Sequence, residues 1–100
     1  MAAIVHHGGA GTTGAALSAG VPSLIIPHFG DQYYWGRRVA ELGVGPKPIV
    51  RKKLTVEKFA NAISTALNDS AMKERASRLG ATITAEDGVN QAVQIIQKYI

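Results

Sequence analysis

The stretch His6-His7-Gly8-Gly9-Ala10-Gly11-Thr12-Thr13-Gly14 follows the short apolar run Ala2-Ala3-Ile4-Val5. It reads as the point where a buried strand gives way to a helix. Glycine backbone, two hydroxyls and an imidazole meet at a junction where free N–H groups and the positive end of a helix dipole point at one spot. Such junctions hold phosphate. Further on, Asp31-Gln32 lies just past the next apolar strand, Val21–Ile26, and puts a carboxylate and an amide at that strand's C-terminal end. Together the two blocks suit a diphosphate carrying a hydroxyl-rich group, a description that a nucleotide-sugar meets.

Working outward, Thr12 or Thr13 is expected to cap a helix through Leu17, closed by Gly20. Val21–Ile26 suits a parallel strand covered on both faces. Asp31 is the natural N-cap of a helix from Gln32 to Leu42, ended by Gly43. Val44-Gly45-Pro46-Lys47-Pro48-Ile49 is irregular or a short third strand. Thr55 caps a helix whose Val56, Phe59, Ala60, Ile63 and Leu67 share a face. A helix over 71–79 stops at Gly80, and a last one from Gly88 lines up Val89, Ala92, Val93, Ile96 and Ile100. Strands alternating with helices predict an α/β fold: a partial Rossmann-like, three-layer domain with a short parallel sheet of about three strands and flanking helices. Residues 1–100 are expected to form a single unit, part of a larger nucleotide-binding domain.

Composition narrows the function. With 46% apolar residues the chain can build a core, and its apolar runs are too short to span a membrane. The absence of cysteine removes disulfides and thiolate metal sites, and fits a reducing compartment. The net charge of +4 is modest, and its only dense cluster, Arg51-Lys52-Lys53, lacks interleaved aromatics. It reads as a solvated loop, not a nucleic-acid face.

Gly9, Gly11 and Gly14 also satisfy the dinucleotide pattern G-x-G-x-x-G, with Asp31 at roughly the distance of its ribose-binding acid. In that pattern the acid ends the second strand, whereas here Pro27-His28-Phe29-Gly30 intervenes and puts Asp31 on a loop entering a helix. A dinucleotide module of an oxidoreductase, and a non-catalytic scaffold whose glycines serve packing alone, are the alternatives. His6 and His7, being adjacent in a strand, point to opposite faces. They are not expected to ligate one metal, even with His28. His7 abuts the loop and is taken to face the ligand, His6 to be packed, and His28 to be a loop residue near the site.

His7-Gly8-Gly9-Ala10-Gly11-Thr12 followed by Pro27-His28-Phe29-Gly30-Asp31-Gln32 resembles the donor-binding signature of nucleotide-diphosphate-sugar glycosyltransferases with two facing Rossmann-like domains, the GT-B architecture. Gly43-Val44-Gly45-Pro46-Lys47-Pro48-Ile49 and Ala85-Glu86-Asp87-Gly88 are similar to later elements of the sterol glucosyltransferase-like and antibiotic glycosyltransferase-like branch, so the resemblance covers nearly the whole chain. It implies that His7 and Thr12 contact the diphosphate, helped by backbone N–H groups of Gly9, Ala10, Gly11 and Thr12, and that Asp31 and Gln32 hydrogen-bond the sugar. It further implies a UDP-sugar co-substrate, no metal and no other cofactor. A hexose, glucose by this branch, would pass to a lipid, sterol-like or other small-molecule hydroxyl with inversion. The catalytic base is then expected in an N-terminal domain outside this chain, so no catalytic residue is expected within it and the chain alone should be inactive. The expected setting is cytoplasmic, compatible with peripheral membrane association of the parent protein. No nucleic-acid partner is expected, and the chain by itself should self-associate.

Overall fold

A parallel pair of strands organises the chain, whose computed structural model describes residues 2–85. β1 (Ile4–His6) pairs with β2 (Ser23–Ile25), with Ile4 opposite Ser23 and His6 opposite Ile25. The crossover is α1 (Ala10–Ser18). β1 is displaced from the expected run over 2–5. The Ile4 N–H donates to the Pro22 carbonyl (3.0 Å) and the Ile26 N–H to the His6 carbonyl (2.9 Å), so the cross-strand bonds bracket Ile4 to His6. All three residues of β2 are buried, as a strand covered on both faces requires.

α1 starts earlier than a threonine cap would allow. Gly9 is its N-cap, without a side-chain capping bond, because the Thr13 N–H already donates to the Gly9 carbonyl at 2.8 Å. Thr13 is instead fully buried and Thr12 is exposed. At the far end Gly20 closes the helix as expected, its N–H reaching the Leu17 carbonyl at 3.1 Å. A second correction falls on α2 (Asp31–Glu41), in which Asp31 is the first helical residue and Gly30 the N-cap. Gly30 takes φ +62°, which lets the chain enter the helix one position sooner.

Among the described residues the sheet has two strands. Residues 44–51 run beside β2 without becoming a third: the Ser23 N–H donates to the Val44 carbonyl, Ile49 N–H to the Ile25 carbonyl and Arg51 N–H to the Pro27 carbonyl. Pro46 and Pro48 have no N–H to donate, which interrupts a regular ladder. A 3-10 turn at Arg51–Lys53 follows.

Thr55 caps α3 (Val56–Asn68), its hydroxyl accepting the Lys58 N–H at 3.1 Å. The expected apolar face of this helix does not meet the core. Val56 is 88% exposed, Phe59, Ala60 and Leu67 are exposed too and Ile63 is half-buried, while Ala66 is its buried residue. Periodicity shows which residues share a face but not which face finds a neighbour, and the small Ala62 and Ala66 permit closer approach. α4 (Ser70–Ala85) passes straight through Gly80 instead of stopping there. A Cβ on Gly80 would lie 2.5 Å from the Gly20 Cα, so this glycine serves close packing of α4 on the end of α1. Met72, Ala76, Gly80 and Ile83 form the buried stripe of α4. With Leu17, Ile25, Trp35, Val39 and Val44, residues Ala76 and Ile83 make the core. The helix expected from Gly88 onward, and Glu86-Asp87-Gly88 with it, lies outside the described residues. Among the described residues no helix is long and apolar enough to cross a membrane.

Candidate functional site

The strand-to-helix loop is held open by its own side chains. Gly8 has φ +98°, and the His6 Nδ1 accepts its N–H at 3.1 Å. A Cβ at Gly8 would meet Ile25 Cγ2 at 2.7 Å and the Gln32 carbonyl at 3.1 Å. Glycine is therefore required there twice, by φ and by space. His6 is half-buried, and burial followed by the neighbouring His7 lowers its pKa, so the ring stays neutral and keeps Nδ1 as an acceptor. Its Nε2 and the Thr13 hydroxyl are buried without protein partners among the described residues.

Gly9 and Gly11 behave differently. A Cβ at either would meet nothing within 4 Å, and Gly9 has an ordinary φ of −63°. Neither backbone strain nor packing within the described chain calls for glycine at these positions. They leave positions 9 and 11 at the start of α1 without a side chain. The N–H groups of Ala10, Gly11 and Thr12 precede the first intrahelical donor, Thr13, and the helix has no side-chain cap. Among the described residues these three donors have no acceptor, and they lie at the positive end of the helix dipole. His7 is exposed beside them, its ring 4.1 Å from that of His28 at 61°. Desolvation, then His7 and Arg51, lower the His28 pKa, which favours the neutral form of that ring.

On the neighbouring loop, Asp31 is exposed and makes no capping bond, which leaves both carboxylate oxygens unused by the helix. Gln32 is half-buried, and its Oε1 accepts the backbone N–H of His28 (2.7 Å) and of Phe29 (3.3 Å). The side-chain carbonyl thus ties the loop to α2, leaving only the amide NH₂ for an outside partner. The Tyr33 hydroxyl adds a further tie, donating to the His28 carbonyl at 3.1 Å. The structure brings His7, the start of α1, and Asp31-Gln32 to the C-terminal end of the parallel strands, where open α/β sheets bind ligands. Sequence reading missed that Arg51 and Lys52 come to the same end, where they line a cavity of about 450 Å³ with His28, Phe29 and Tyr33. The signal was the irregular run over 44–49, which carries Arg51 alongside Pro27. Among the described residues no group of three His, Cys, Asp or Glu side chains is placed to hold a metal ion.

Fold and site together define a parallel α/β domain with an uncapped, glycine-rich strand-to-helix loop at its carboxyl edge. The chain belongs to the family described as erythromycin biosynthesis protein CIII-like, C-terminal domain, whose model matches residues 1–98. It is 54% identical over 96 residues to a sterol 3-beta-glucosyltransferase of Emericella nidulans, and equally to that of Aspergillus fumigatus, covering 96% of the chain in each case. To the sterol 3-beta-glucosyltransferase of Neurospora crassa it is 50% identical over the same length. The chain spans only about 7% of the length of the first two of these relatives.

Proposed function

We propose that the chain is the part of a donor-binding domain that holds the diphosphate and sugar of a UDP-hexose, in a glycosyltransferase passing glucose to a sterol-like or other lipid hydroxyl. The observation that carries this reading is the uncapped start of α1, where a side chain at Gly9 or Gly11 would meet nothing among the described residues. Breaking the sugar–phosphate bond builds negative charge on the leaving diphosphate. The N–H groups of Gly9, Ala10, Gly11 and Thr12, the Thr12 hydroxyl and the His7 imidazole are donors able to stabilise that charge without a metal or other cofactor. The free carboxylate of Asp31 accepts from sugar hydroxyls and the NH₂ of Gln32 donates to them, which fixes the sugar's orientation. The base that activates the acceptor, and most of the acceptor pocket, belong to a domain beyond this chain, so the chain alone binds donor but transfers nothing. The parent enzyme works in the cytoplasm and meets its acceptor at a membrane surface. The similarity to sterol 3-beta-glucosyltransferases supports the choice of sugar and acceptor.

The test is to titrate the chain with UDP-glucose and separately with NADH while following the amide resonances of Gly8 to Thr13. UDP-glucose should shift the Gly9 to Thr12 signals. Tighter binding of NADH would instead make this a dinucleotide module, and silence with both would make it a scaffold.

A further inference from the structure

A second cavity, of about 810 Å³, lies between the 45–50 segment and α3 and shares no residue with the diphosphate and sugar positions. Its size falls within the range of small-molecule sites. Its walls are mainly apolar, with Pro46, Pro48, Ile49, Ala62 and Met72; the uncharged polar side chains are Asn61 and Thr65, and the Thr65 hydroxyl is spent on the Asn61 carbonyl. Its cations are Lys47, Lys53 and Lys58, and among the described residues no acidic side chain lines it. The ion pairs among the described residues, Arg38 with Glu41 and Arg78 with Glu74, involve none of these lysines. Lys58 also sits in the first turn of α3, where a cation opposes the helix dipole, so its position does nothing for its own helix.

We propose that this cavity binds an anionic amphiphile, its apolar body against Pro46, Ile49, Ala62 and Met72 and its anionic head between Lys53 and Lys58. Apolar walls take the chain out of water, and lysine stems of this kind line such a wall while their ammonium groups stay at the mouth to meet the head. The site does not depend on the donor reading, because the donor positions lie on the loop after β1, on α1 and at the start of α2.

Met72 supplies a direct probe, since the only other methionine is Met1. The full chain, with its methionine methyls labelled with carbon-13, is titrated below the micellar range with dodecyl phosphate, with dodecanoate and with uncharged dodecanol. Both anions should shift the Met72 methyl signal and bind more tightly than dodecanol, and the two anions together separate a phosphate head from a carboxylate. Lys53→Gln combined with Lys58→Gln should weaken the anions about tenfold or more and leave dodecanol unchanged. Both lysines are exposed, so the fold should survive, and an unaltered amide spectrum elsewhere checks this. Ala62→Leu, which fills the cavity, should weaken all three ligands. An unmoved Met72 signal, equal affinity for anions and alcohol, or anion affinity indifferent to the lysine pair would each overturn the proposal. The Gly9 to Thr12 amides report the donor site separately, so either reading can fail alone.

Discussion

His6 and His7 are neighbours with divided work. His6 points inward and holds the Gly8 N–H, whereas His7 stands exposed at the uncapped start of α1. His7→Ala should therefore weaken binding of a nucleoside diphosphate about tenfold or more, the worth of one hydrogen bond to a charged group. His6→Ala should show mainly in thermal stability, and equal losses of affinity from both would break the assignment. The His6 pKa is lowered on folding from its ordinary 6.5, so the unfolded chain binds the extra proton more readily. Stability from His6 is present above about pH 6.5 and is lost as pH falls through the lower folded value. His28 shifts in the same direction. His6→Asn, which keeps an acceptor near Nδ1 but does not titrate, should thus flatten part of the acid limb of a melting-temperature profile. An identical profile would show that the ring carries no such linkage. Gln32 is divided within one side chain: Gln32→Glu keeps an oxygen for the His28 and Phe29 amides but loses the NH₂. Fold and diphosphate affinity should survive while sugar transfer in the parent enzyme falls, as kcat and KM for UDP-glucose would reveal.

At the scale of elements, α1 sets helix stability against ligand access. Glycine within a helix costs about 0.5–1 kcal/mol relative to alanine. A methyl group at position 11 meets nothing in the described chain. Gly11→Ala should therefore raise the melting temperature while weakening binding of UDP-glucose, because the methyl occupies space above the orphan amides. Stabilisation with undiminished binding would show that the diphosphate does not approach there. Gly80 has the opposite character. Its missing Cβ is what lets α4 lie on the turn after α1, and that contact overrides the usual tendency of glycine to end a helix.

For the molecule as a whole, the edge of β1 away from β2 is the feature expected to set behaviour in solution. Among the described residues β1 pairs only with β2, and its Ile4 N–H and His6 carbonyl are used in that pairing. Alternation along a parallel strand turns the Val5 amide to the other edge, and Val5 is 43% exposed. An unpaired apolar edge is a template for another chain. The chain should self-associate with rising concentration, and two copies could join edge to edge about a two-fold axis. Light scattering over a concentration series tests this, and Val5→Lys should suppress it. A monomer at high concentration, with sharp amide signals for Ala3 to Val5, would show that the edge is protected.

What the sequence determined by itself is local: the strand-to-helix turn at Gly8, the closing of α1 at Gly20 and the Thr55 cap. Each rests on φ or on hydrogen bonds within a few residues, so neighbouring letters suffice. The candidate positions His7, Gly9 to Thr12, Asp31 and Gln32 were legible for the same reason, since all lie where strands hand over to helices. The tertiary structure alone decided that Asp31 is free of capping and that the Gln32 carbonyl is engaged by the loop. It alone carried α4 through Gly80, left most of the apolar face of α3 exposed, and set Arg51 beside His28. These outcomes depend on which surfaces approach within a methyl's width, and such distances between elements far apart in the chain are not written in any local pattern.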